Sequence, residues 1–69
     1  MAAPIVVHRP SLTGGRRVTA GGEILGLAHD DRDLVDFLRR AGLPEAERIL
    51  DDPQWVEWRG GRAHQYEAA

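Results

Sequence analysis

The sequence predicts a small α+β domain. An antiparallel sheet, built from an N-terminal strand and two Gly-Gly hairpins, carries two consecutive helices on one face, in the order β-ββ-αα-ββ. Three observations lead there. Gly21-Gly22 and Gly60-Gly61 each separate two short runs containing apolar residues, the pattern of a two-residue primed turn. Between them, HDDRDLVDFLRRAGLP holds the start, stripe and stop signals of an amphipathic helix. The chain has 69 residues, enough for one domain spanning 1–69.

Ile5-Val6-Val7-His8 is a β-branched run between Pro4 and Pro10 and reads as a strand. Proline cannot donate to a ladder, so this strand is expected at an edge of the sheet. SLTGG forms a loop, and RRVTA and EILGLA then pair around Gly21-Gly22. In that register Val18 faces Leu25 and Arg16 faces Leu27, while Arg17, Thr19, Ile24 and Gly26 point the other way. EILGLA is apolar on both faces, as an inner strand would be. Gly26 within it admits the close approach of a helix or a second backbone.

Asp30 is the expected N-cap of the central helix, with Asp33 three residues later in a position like that of a capping box. Arg39 and Arg40 lie in the last turn, where they complement the helix dipole, and Gly42 stands at the C′ position. Leu34, Phe37, Leu38 and Ala41 form one stripe, widened by Val35. PEAERILDD reads as a shorter second helix that covers the core with Ala46, Ile49 and Leu50. The second hairpin, around Gly60-Gly61, pairs Trp58 with Ala63, Glu57 with His64 and Trp55 with Tyr66. Val56 and Trp58 then face the core, and the buried set is expected to include Leu25, Leu34, Phe37, Leu38 and Trp58.

The opposite face of that hairpin gathers Trp55, Tyr66, Arg59 and Arg62. These four are the candidate partner-binding residues, because Trp, Tyr and Arg are the types enriched at interface hot spots. A domain this small buries only about 60% of the surface its unfolded chain exposes, which favours association as a source of further stability.

Composition narrows the remaining choices. There is no cysteine, so disulfides and Cys-based zinc sites are excluded. No apolar run approaches the length of a membrane span, and MAAPIVVHRP lacks the architecture of a signal peptide, so a cytoplasmic location is expected. All nine basic residues are arginine. The formal net charge is −2, with the acids concentrated between residues 30 and 53.

The segments GGRRVTAGGEILGLAHDDRDLVDFLRRAGL and DDPQWVEWRGGRAHQYEAA resemble small uncharacterised proteins of high-GC actinobacteria. That resemblance covers nearly the whole chain and implies no activity, so it assigns no role to any residue.

The histidines His8, His29 and His64 show no metal-ligand spacing. The sole serine, Ser11, lies outside any nucleophile motif. No catalytic residue, metal or cofactor is therefore assigned, and the chain is expected to be a non-enzymatic regulatory or accessory module that binds a protein, a second copy included. Nucleic-acid binding is the alternative. Two helices followed by a hairpin imitate a winged-helix order, with arginines at the hairpin tips. Against it, the helix that would read the groove, PEAERILDD, holds four acids and one arginine.

Overall fold

The computed structural model describes residues 3–67. It is a small α+β domain with a four-stranded mixed sheet and two helices. Strands β1 (Ile5–Pro10), β2 (Arg16–Ala20) and β3 (Glu23–Ala28) precede helices α1 (Asp31–Arg40) and α2 (Ala46–Ile49), and β4 (Val56–Trp58) follows. The spatial order is β3-β2-β1-β4. The helices thus carry the chain from one edge of the sheet to the other, and β4 returns parallel to β1.

This arrangement corrects several expectations. The sheet is mixed, not antiparallel, because β4 reaches its place through a helical crossover. Strand β1 is internal: Pro4 precedes it and Pro10 ends it, so the residues between them keep every ladder N–H. The edges fall to β4 and to β3, from which α1 departs directly.

The β2–β3 register is antiparallel around Gly21-Gly22, both at positive φ as a primed turn requires. It shifts at Leu25, so that Val18 faces Gly26 and Arg16 faces Ala28 rather than Leu25 and Leu27. One extra residue on β3 accounts for the slip.

Helix α1 follows its local signals. The Asp33 amide donates to Asp30 Oδ1 at 2.8 Å, and the Asp33 carboxylate accepts from the His29 amide at 3.0 Å. At the other end Leu43 N–H reaches Leu38 O and Gly42 N–H reaches Arg39 O, both at 3.0 Å, which is a Schellman motif. Leu34 and Leu38 are buried, whereas Ala41 is exposed. Helix α2 is one turn only, shorter than PEAERILDD, yet it buries Ala46 and delivers Leu50 to the core.

Ile5, Val7, Val18, Ala28, Leu34, Leu38, Ala46, Leu50, Val56 and Tyr66 are buried together. Leu25, Phe37 and Trp58, expected in that set, are partly buried against it. Gly26 provides the contact with α1: a Cβ there would lie 2.7 Å from Cζ of the Phe37 ring.

The second hairpin does not form. After β4 the chain runs through turns and bends, and no strand follows Gly60-Gly61 among the described residues. The Trp55–Tyr66 and Glu57–His64 pairings go with it. Its cause is a buried side chain from β2.

Candidate functional site

Arg16 lies on the same face of β2 as Val18, and both are fully buried. Among the described residues its guanidinium meets no carboxylate. Nε donates to His8 O at 2.8 Å, and one terminal nitrogen donates to Arg62 O at 3.1 Å and Gln65 O at 2.9 Å. The other donates to Val7 O at 3.4 Å and to Arg59 O. The Trp58 ring covers the group, 5.3 Å from its carbon. Burial lowers the Arg16 pKa, but arginine starts so high that it stays charged. Carbonyls that a hairpin would spend on a cross-strand ladder are spent on this cation instead. The loop from Arg59 to Gln65 is wrapped around Arg16.

The loop is also clasped to the helices. His64 Nε2 lies 2.6 Å from Asp51 Oδ1, and Nδ1 lies 2.6 Å from Asp31 Oδ2. The Tyr66 hydroxyl donates to the other oxygen of Asp31 at 2.6 Å. Burial, with the Asp31 carboxylate second, pushes the Tyr66 pKa far up, so the phenol remains a donor. The rings of His64 and Tyr66 pack against Trp58 at 5.2 and 6.0 Å. The two imidazole nitrogens point at different carboxylates, so the cluster has no common focus for a metal ion.

The four candidate residues are therefore separated. Tyr66 is buried and faces Asp31, because its phenol finds an acceptor there. Trp55 is 40% exposed at the start of β4. Arg59 pairs with Glu57, and the residue lines a cleft with Arg9 and Arg17. Arg62 borders a neighbouring groove, which it shares with Arg9.

The structure instead brings together one face of the sheet. The face that includes Ile5, Val7, Val18 and Val56 is buried. The alternate residues form two rows on the other side. Cross-strand pairing sets Ile24, Thr19, Val6 and Glu57 in one row across all four strands. Leu27, Arg17, His8 and Arg59 border the cleft beside it. Ile24 is 67% exposed and Leu27 47%. His8 Nε2 and Thr19 Oγ1, 2.9 Å apart, tie β1 to β2 within this face. Period-two alternation could have found it, since Arg17, Thr19 and Ile24 were already placed together.

Among the described residues no helix is long and apolar enough to cross a membrane. No family model matches the chain, and no solved structure matches it. A curated protein, the probable cytosol aminopeptidase of Geobacter sulfurreducens, is 38% identical over 53 residues. The matched stretch is 77% of this chain and 11% of the aminopeptidase. The chain is thus similar to a short part of that protein.

Proposed function

We propose that this chain is a non-enzymatic cytoplasmic module of regulatory or accessory type that holds a partner protein on the open face of its sheet. One observation carries the reading: Ile24 and Leu27 are large apolar side chains left 67% and 47% exposed on neighbouring rows. Buried apolar centres ringed by polar and arginine side chains are the composition of protein interfaces, and Arg17, Thr19 and Glu57 supply that rim. Trp55 adds an exposed aromatic group in the turn just before β4. A second copy of the chain is one partner of this kind, since β3 offers a free strand edge beside the same apolar residues.

The test is capture by the tagged chain from the host cytoplasm, with purified reconstitution of whatever is retained. Ile24→Glu is expected to keep the wild-type melting temperature and lose the partner. Sedimentation at several concentrations distinguishes a second copy from another protein. Retention of the same partner by Ile24→Glu, with loss in Arg32→Glu on α1, would move the interface to the helices. Salt-sensitive retention of DNA or RNA without a protein partner would replace the reading with the nucleic-acid alternative.

A further inference from the structure

A basic cleft closes one end of the open face. Arg17 stands opposite Leu27 in the β2–β3 ladder. Arg59 follows β4, and its amide donates to Val7 O at 2.9 Å, next to His8. These side chains, with Arg9, Ser11 and Gly60, wall a cleft of about 490 Å³. Three arginines line it, and among the described residues its wall contains no carboxylate. Glu57, which pairs with Arg59, is not part of that wall. Among the described residues Arg9 and Arg17 have no ion-pair partner.

Like charges brought together repel, and a chain with eleven acidic residues has placed none in this wall. The arrangement is also held in place. Arg16 binds the carbonyls of His8 and Arg59 from below, so the backbone presenting Arg59 beside β1 is pinned by the core. Guanidinium forks match the oxygens of a tetrahedral oxyanion in pairs.

We propose that this cleft, walled by Arg9, Arg17 and Arg59, binds a phosphomonoester group. A single compact dianion suits it better than a nucleic-acid backbone. The adjoining groove shared by Arg9 and Arg62 includes Glu67, so the basic surface does not continue as a track. The site goes beyond the protein-binding reading and does not require it, because a free phosphate compound and a phosphorylated side chain present the same chemistry.

The experiment is an NMR titration of the full chain with inorganic phosphate against chloride at matched ionic strength, following arginine Nε–H and backbone signals. Saturable shifts are expected at Arg9, Arg17, Arg59 and Ser11. Arg17→Gln and Arg9→Gln should each weaken binding by roughly tenfold, the equivalent of one charge-assisted hydrogen-bonded contact, whereas Arg32→Gln should leave it unchanged. A phosphoserine peptide binding more tightly than phosphate, with its serine form inert, identifies a protein-borne group, and equal binding identifies a free one. Shifts that fail to saturate, or that Arg32→Gln reduces as much as Arg17→Gln does, would overturn the site. So would an oligonucleotide that binds where phosphate does not. Repeating the titration on Ile24→Glu separates the two readings, since loss of partner capture leaves phosphate binding intact.

Discussion

The guanidinium of Arg16 lies 5.3 Å from the Trp58 ring, and the two side chains together replace the hairpin that the C-terminal sequence suggests. Trp58 Nε1–H is anchored to Leu50 O at 2.9 Å, behind α2. Arg16 binds the other way, into the loop after β4. The pair therefore connects the helical layer, the sheet and the C-terminal loop through one contact.

Removing Arg16 should cost more than removing any exposed arginine. Arg16→Ala would take a side-chain donor from five carbonyls, of which Val7 O keeps the Arg59 amide and Arg62 O the Gln65 amide, and leave a cavity beneath Trp58. Each buried acceptor left without a donor costs about 1–3 kcal/mol, so the loss is a large share of the stability of a domain this size. Arg16→Lys should fall between wild type and Arg16→Ala, because an ammonium has three donors and no planar fork. Urea denaturation followed by tryptophan fluorescence measures both. An Arg16→Lys midpoint equal to wild type would show that the fork geometry is immaterial.

The Gly26 position makes a second, local test. A Cβ at Gly26 would lie 2.7 Å from Phe37 Cζ, and the residue's φ is +154°, so Gly26→Ala must both push the ring and strain β3. Overpacking of this kind costs about 1–3 kcal/mol. Phe37→Leu removes the ring edge that a new Cβ would strike. The double variant should recover part of the loss, giving a coupling energy between the two sites. Strict additivity in thermal or urea melts would mean that the cost arises in the backbone of β3 alone.

What could be read from the sequence depends on the range of the interactions. Helix α1 is specified within its own sixteen residues: Asp30 caps it, Leu34 and Leu38 bury, and Gly42 ends it. The turn at Gly21-Gly22 is equally local. The Leu25 bulge is not: it lies beside Gly26, which faces Phe37 from another element.

At the C-terminus the local signal and the fold diverge. Gly60-Gly61 reads as a hairpin turn but forms only a bend, and the flanking residues answer to Arg16, more than forty positions away. A clue was present. Alternation puts Arg16 on the face of Val18, and that face is the core. Tyr66 and Trp55 seemed partners only because the hairpin register placed them opposite each other. Released from it, Tyr66 turns inward to Asp31 and Trp55 stays outside.

The final prediction concerns pH. His64 bridges Asp51 and Asp31, and a protonated imidazole can donate to both, whereas the neutral ring has one N–H for two carboxylates. The hydrogen bond to Asp51 first, and then that to Asp31, therefore raises the His64 pKa above its ordinary value. A raised pKa means that folding takes up protons in this window. The clasp contributes its full stability below the unfolded value of about 6.5, and loses it as pH rises through the folded value. His64 is 36% exposed, so solvent screening keeps the contribution modest. Urea midpoints at pH 5.5, 7 and 9 should decline with rising pH in wild type and change less in His64→Gln. His8, His29 and the amino terminus are common to both proteins, so the difference between their slopes isolates His64. Parallel slopes would show that its proton is bound equally in the folded and unfolded chains, and that the clasp holds the loop without regard to its charge.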